Sequence, residues 1–222
     1  MQDFKNKYNF YSCFWIFLIG CIFGFIFESI LSYFQLGYVI NKQELVFGPF
    51  MPVYGIGAVV FAYISKHVKS ITMTFILSFI LGSLVEFFYS LLQETIFGTI
   101  SWDYSSAPLN IQGRISLIYS VGWGLLGIIS CKLILPYISN FISNFPKRPA
   151  IVTTWILITF MLFNFSISYL ALYRQKQRYL NIPATNIISE TIDRYYPNQK
   201  MDLIYQNHKK LYTVQTTFND KN

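Results

Sequence analysis

Five runs of apolar residues alternate with polar connections along the chain, at about 11–34, 50–65, 71–97, 114–135 and 150–173. Each reads as a helix crossing a bilayer, for which about 20 apolar residues suffice. The second run is the shortest and carries Gly55 and Gly57. After Arg174 the long apolar runs end. Asn186 or Thr185 is placed to cap a short helix that Pro197 stops, and Asn198 to cap another carrying Met201, Ile204 and Tyr205. The pattern predicts an all-α polytopic membrane protein. Five transmembrane helices fall within residues 1–173, and a basic polar C-terminal tail with short helices covers 174–222.

Two polar residues break the apolar pattern in one and the same frame. Gly24, Glu28, Ser32 and Gln35 recur as Gly82, Glu86, Ser90 and Gln93, every member displaced by 58 residues. Steps of four, four and three residues put each quartet on one helix face. A carboxylate at membrane depth costs roughly 2.5–3.5 kcal/mol on insertion scales, so it faces protein or a wet cavity rather than lipid. The displacement also pairs the segments. The first and second, and the third and fourth, read as two hairpins in parallel orientation, plus one extra helix; parallel internal repeats are a known plan for transporters.

The connections carry the remaining candidate chemistry. Gly48-Pro49-Phe50-Met51-Pro52 precedes the second segment and predicts a broken or re-entrant start to it, with backbone groups freed from helical bonding. The connection after the third segment contains Trp102-Asp103-Tyr104-Ser105, Asn110 and Arg114. Asp103 and Arg114 are the only charges between Glu94 and Lys132; they pair with each other, or Arg114 reaches a glutamate of the third segment. The candidate substrate-binding set is therefore Glu28, Glu86, Ser32, Ser90, Gln35 and Gln93, with Asp103, Asn110 and Arg114 beside it. Gly55, Gly57, Gly122, Gly124 and Gly127 read as close-packing positions between helices. Trp15 and Trp155 read as interfacial anchors, and Arg174 to Arg178 as a flank at the headgroups.

Composition agrees with a membrane chain: 54% of the 222 residues are hydrophobic and 12% charged. The net charge of +7 divides as nine Lys/Arg against six Asp/Glu in residues 1–173 and eight against four in residues 174–222. No basic cluster with a recognition motif accompanies that charge, so anionic lipid rather than nucleic acid is the expected partner. Lys5, Lys7, Lys66, Lys69, Lys132, Lys147 and Arg148 flank one side of the predicted bundle, and only Lys42 and Arg114 the other. The positive-inside rule then puts the N-terminus in the cytoplasm and, after five crossings of the plasma membrane, the C-terminus outside. The first segment follows Lys5 and Lys7 and reads as a retained signal anchor. Cys13, Cys21 and Cys131 are odd in number and lie in apolar runs, which opposes a disulfide framework; His67 and His208 are isolated, and no cofactor or metal motif is present.

Several motifs are more specific than these patterns. They are G-P-F-x-P-V-Y-G at 48–55, L-V-E at 84–86, W-D-Y-S at 102–105, N-I-x-G-R-I at 110–115, W-G-L-L-G at 123–127, and Ile192-Asp193-Arg194-Tyr195-Tyr196-Pro197 in the tail. On these residues the chain resembles the ABC-transporter type IV permease family (CmpB-like bacterial integral membrane proteins). Gln206 departs from that family's pattern, which has Pro after the Ile-Tyr pair. The resemblance implies a multi-span permease acting with a separate ATPase subunit. The chain itself carries no G-x-x-x-x-G-K-[ST] and is not a P-loop ATPase.

Three functions fit. In the first, the chain is a transport component, and Glu28 and Glu86 line a cavity for a cation, a proton or an amine-bearing solute; paired carboxylates titrate together, which suits proton-linked movement. In the second, the glutamates hold the bundle together, by pairing with Arg114 or bonding to Tyr and Ser across helices, in a non-transporting scaffold or accessory protein. In the third, an intramembrane enzyme acts on a lipid-linked substrate, although no nucleophile–base spacing is evident and no catalytic residue is assigned. A homo-oligomer is compatible with all three.

Overall fold

The computed structural model describes residues 9–144 and 147–212, and the side chains of all of these except 147–150. Lys5 and Lys7, and the tail beyond residue 212, lie outside the described residues, as do the side chains of Lys147 and Arg148. Among the described residues the chain is all-α apart from four two-residue strands. Among the described residues, four helices are long and apolar enough to cross a membrane: Phe10–Leu36, Ile71–Phe97, Leu117–Ser143 and Ile151–Tyr179.

Helix α1 (Phe10–Leu36) begins where the Asn9 side chain accepts from the Ser12 amide at 2.9 Å. It ends at Gly37, whose φ of 79° suits a residue without Cβ. At 27 residues it is about 40 Å long, enough to span the hydrocarbon with tilt. Helix α3 (Ile71–Phe97) is built alike, capped by Ser70 and stopped by Gly98.

Helix α2 (Pro52–His67) has only 16 residues, and the connection before it explains why. Residues 37–51 turn back into the bundle until the Met51 amide donates to the Cys21 carbonyl at 3.1 Å, near the middle of α1. The connection thus descends about 22 Å along α1 before α2 begins. Gly48, at φ 78°, makes the sharp turn, and Pro52 starts the helix where a missing N–H costs nothing. Leu45, Val46, Phe50 and Met51 are buried there. The backbone groups this leaves unpaired are met by polar side chains. Asn164, fully buried, accepts from the Phe47 amide at 3.0 Å and donates to its carbonyl at 2.7 Å. Ser168 accepts from Val46 at 2.8 Å. Unconventional backbone survives at this depth because protein satisfies it.

Short strands β1 (Thr99–Ile100), β2 (Asn110–Ile111) and β3 (Ile115–Ser116) fold the next connection, with β2 and β3 antiparallel. Helix α4 (Leu117–Ile129) passes through a π-helical turn at Ser130–Ile134 into α5 (Leu135–Ser143). The fourth apolar run therefore continues past residue 135. Pro136, which has no N–H to return to the preceding turn, accounts for the local widening. Helix α6 (Lys147–Tyr179) likewise continues past 173.

Helix α7 (Ile187–Tyr195) opens with a capping box between Asn186 and Ser189, and α8 (Asn198–Ile204) follows Pro197. Both pack on the end of α6 around Val46, Ala171, Leu172, Ile192, Met201 and Tyr205. Arg174 and Arg178 act here as more than a headgroup flank. Asp193 accepts from both, at 2.6 Å from Arg174 Nη2, and Arg178 also donates to the Asn198 side chain at 2.7 Å. Strand β4 (Lys209–Lys210) pairs antiparallel with β1. The tail thus lies at the same end of the bundle as both long connections.

Candidate functional site

Glu28 and Glu86 are each held by an aromatic donor from the neighbouring helix. The Tyr54 hydroxyl of α2 donates to Glu28 Oε1 at 2.6 Å. The Trp123 indole of α4 donates to Glu86 Oε2 at 2.9 Å. Each ring reaches its glutamate because the residue four positions earlier is glycine. A methyl group at Gly24 would sit 2.3 Å from the Tyr54 ring, and one at Gly82 2.8 Å from Trp123. Two further contacts follow the same frame. Phe17 lies against Gly55 as Phe75 does against Gly124, and Gly20 against Ala58 as Ser78 does against Gly127. Positions on α1 and α3 differ by 58 residues and those on α2 and α4 by 69, because the second connection is longer.

Both carboxylates line one cavity of about 370 Å³. Glu28 also faces the Lys42 ammonium at 3.5 Å. Glu86 is 5% exposed and takes a second bond from the Tyr104 hydroxyl at 2.8 Å. Tyr104 stacks on Tyr119 at 4.0 Å between centroids, and Tyr54 lies 5.6 Å from Trp123. Trp102 and Gly122 complete the aromatic-rich wall. Burial and the nearby carboxylates push the Tyr104 phenol far above its ordinary range, so it stays a neutral donor. Paired carboxylates within aromatic faces can attract a cation by charge and by the ring quadrupoles together. Among the described residues no group of three His, Cys, Asp or Glu side chains could hold a metal ion.

The other residues expected at the site lie elsewhere. Ser32 is buried and donates to the Ser29 carbonyl at 2.8 Å, and Gln35 is exposed. Ser90 accepts from Arg114 at 3.3 Å. Gln93 bonds Ser101 and His208 beside a different cavity. Arg114 pairs with Glu94 at 2.6 Å, the third-segment glutamate nearest the connection, rather than with Asp103 or the central pair. Asp103 bonds Ser105 and pairs with Lys209 of the tail at 2.7 Å, and these hold its carboxyl well below the usual range. Asn110 ties its own loop, donating to the Ala107 carbonyl at 2.8 Å and accepting from Gly113. Gly122 is also no packing position: a methyl group there would meet nothing within 4 Å, because it borders the cavity.

Comparison with known families decides the wider identity. The profile of the family described as "Putative ABC-transporter type IV" matches residues 15–169. The chain belongs to this family. No curated protein and no solved structure matches it. For this ABC-transporter type IV chain, the long apolar helices and the family together establish a membrane transporter-related protein. The matched region holds the whole cavity lining except Asn207, which comes from the tail.

In this family member the sequence pattern misses Lys42, Tyr54, Tyr104, Tyr119 and Trp123. A signal for three of them is present: Tyr54, Tyr104 and Trp123 stand inside the three loop and helix motifs G-P-F-x-P-V-Y-G, W-D-Y-S and W-G-L-L-G. Glu44, 4% exposed and bonded by the Tyr89 hydroxyl at 2.8 Å, is also missed. It lies in a connection, where a carboxylate raises no alarm.

Proposed function

We propose that this chain is the membrane component of a transporter whose central cavity binds a small cation or amine-bearing solute between Glu28 and Glu86. One observation carries the reading: two acidic side chains from different hairpins line the same aromatic-walled space. A cavity of this size suits a small solute. Lys42, whose ammonium faces Glu28, resembles such a ligand tethered to the chain.

The architecture proposed with it has five crossings, with α2 and the descending connection together making the second. The two hairpins, α1–α2 and α3–α4, form a parallel repeat, supported by the matched contacts at Gly24 and Gly82, at Phe17 and Phe75, and at Gly20 and Ser78. Residues up to about 173 form the membrane body, and the remainder caps it. Lys66, Lys69 and Lys132 lie at the end away from the long connections, Lys132 donating to the Lys69 carbonyl at 2.9 Å, which supports a cytoplasmic placement for that end. In the plasma membrane, the tail would then be outside. A separate ATPase would dock on the cytoplasmic end, where α5 exposes Tyr137.

A second reading has its own support. Both glutamates are bonded by aromatic donors across helices, as clasps would be in a scaffold. Uptake of radiolabelled methylammonium and rubidium into proteoliposomes separates the two. Transport requires flux in the native chain that Glu28→Gln and Glu86→Gln abolish while the fold survives. Undiminished flux in the double variant refutes the carboxylates' role, and loss of thermal stability without any native flux favours the scaffold.

A further inference from the structure

A second and larger cavity, of about 630 Å³, lies outside the central one, between α3 and α6. Leu92 and Phe97 of α3 face Phe165 and Tyr169 of α6 across it, and Leu92 and Tyr169 are 58% and 46% exposed. Both helices are among those long and apolar enough to cross a membrane. The open side of this cleft therefore faces lipid chains.

One end of the cleft is polar. Glu44 lines it, with Oε2 engaged by Tyr89 and Oε1 buried without a hydrogen-bond partner. A buried carboxylate oxygen left unpaired is costly, and a ligand that donates to it recovers that cost. Gln93 and His208 stand at the same end. Gln93 accepts from the Ser101 amide through Oε1, so its Nε2 is the atom that faces His208, at 3.2 Å. His208 Nε2 is then the acceptor. Burial, with Lys210 second, pushes the His208 imidazole down to about 3, so it is neutral. Glu28 of α1 and Lys42 of the same connection pair with each other at 3.5 Å. Glu44 is the acidic side chain in the lining of this cleft.

We propose that the cleft between α3 and α6 is a binding site for a membrane-borne amphiphile with a cationic amino head, its chain lying between the two helices and its ammonium meeting Glu44. This site is independent of the central cavity on which the proposed function rests. Shape and chemistry agree: the apolar walls open to the bilayer, and a single acidic group terminates them at the polar end. Glu44 bonds Tyr89, which stacks on Trp102 of the central cavity at 6.1 Å, so one polar wall divides the two spaces.

The test uses the purified full chain in detergent with three twelve-carbon probes: dodecylamine, dodecanol and dodecanoate. Native mass spectrometry reads the retained adducts. The amine should be retained about tenfold better than the alcohol or the acid. Glu44→Gln should erase that preference, and Leu92→Trp, at the exposed rim, should reduce retention of all three. Gly122→Leu, which fills the central cavity, should leave amine retention unchanged. Equal retention of the three probes overturns the proposal, as does a preference that persists in Glu44→Gln. Loss of amine binding in Gly122→Leu would move the amine to the central cavity and overturn it too. If Glu44→Gln does not fold, the Leu92→Trp and Gly122→Leu pair still locates the site.

Discussion

The rings of Tyr54 and Trp123 stand 5.6 Å apart, and each carries the donor that holds one of the two cavity glutamates. The two clasps therefore touch at the wall of a single cavity. Each clasp needs three elements: a carboxylate, an aromatic donor on the next helix, and a glycine one turn before the carboxylate to admit the ring.

Removing the donor while keeping the ring isolates the hydrogen bond. Trp123→Phe leaves Glu86 with Tyr104 as its remaining side-chain donor, and should lower stability by about 1–3 kcal/mol. Tyr54→Phe should cost less, because Glu28 is more exposed and keeps Lys42. Denaturation midpoints in detergent rank the pair, and a larger loss from Tyr54→Phe would contradict the arrangement.

Glycine substitutions test the close approach. Gly82→Ala forces a methyl group to 2.8 Å from Trp123 and should destabilise by about 1–3 kcal/mol. Gly122→Ala, with nothing within 4 Å, should change the midpoint little. The same measurement on both variants reveals whether the glycines differ as described.

Asn164 satisfies the backbone of Phe47 in both directions. Asn164→Leu should leave the Phe47 amide and carbonyl without their side-chain partner, costing about 1–3 kcal/mol. Hydrogen exchange at residues 43–51 should accelerate ahead of exchange in α3.

Docking of the tail depends on Arg174, which is 5% exposed. Asp193→Asn removes the charge between Arg174 and Arg178 and should cost about 3 kcal/mol, since a buried guanidinium loses its partner. Limited proteolysis within 180–197 should speed up while cleavage at 68–70 stays unchanged.

The helices and the two acidic positions were legible from the sequence by itself. Apolar runs at bilayer length leave few alternatives, and a glutamate inside one is conspicuous because its cost is local. The frame of 58 residues was legible for the same reason, since it repeats within the chain. Tertiary structure alone decided what meets those glutamates. Trp123 reaches Glu86 from 37 residues away, and Asn164 reaches Phe47 from 117. Ser32, Ser90 and Gln93 share the helix periodicity of the glutamates yet face other partners, and Gln35 is exposed. A helical stripe is wider than one cavity, and only the packing of neighbouring helices selects which part of it is lined.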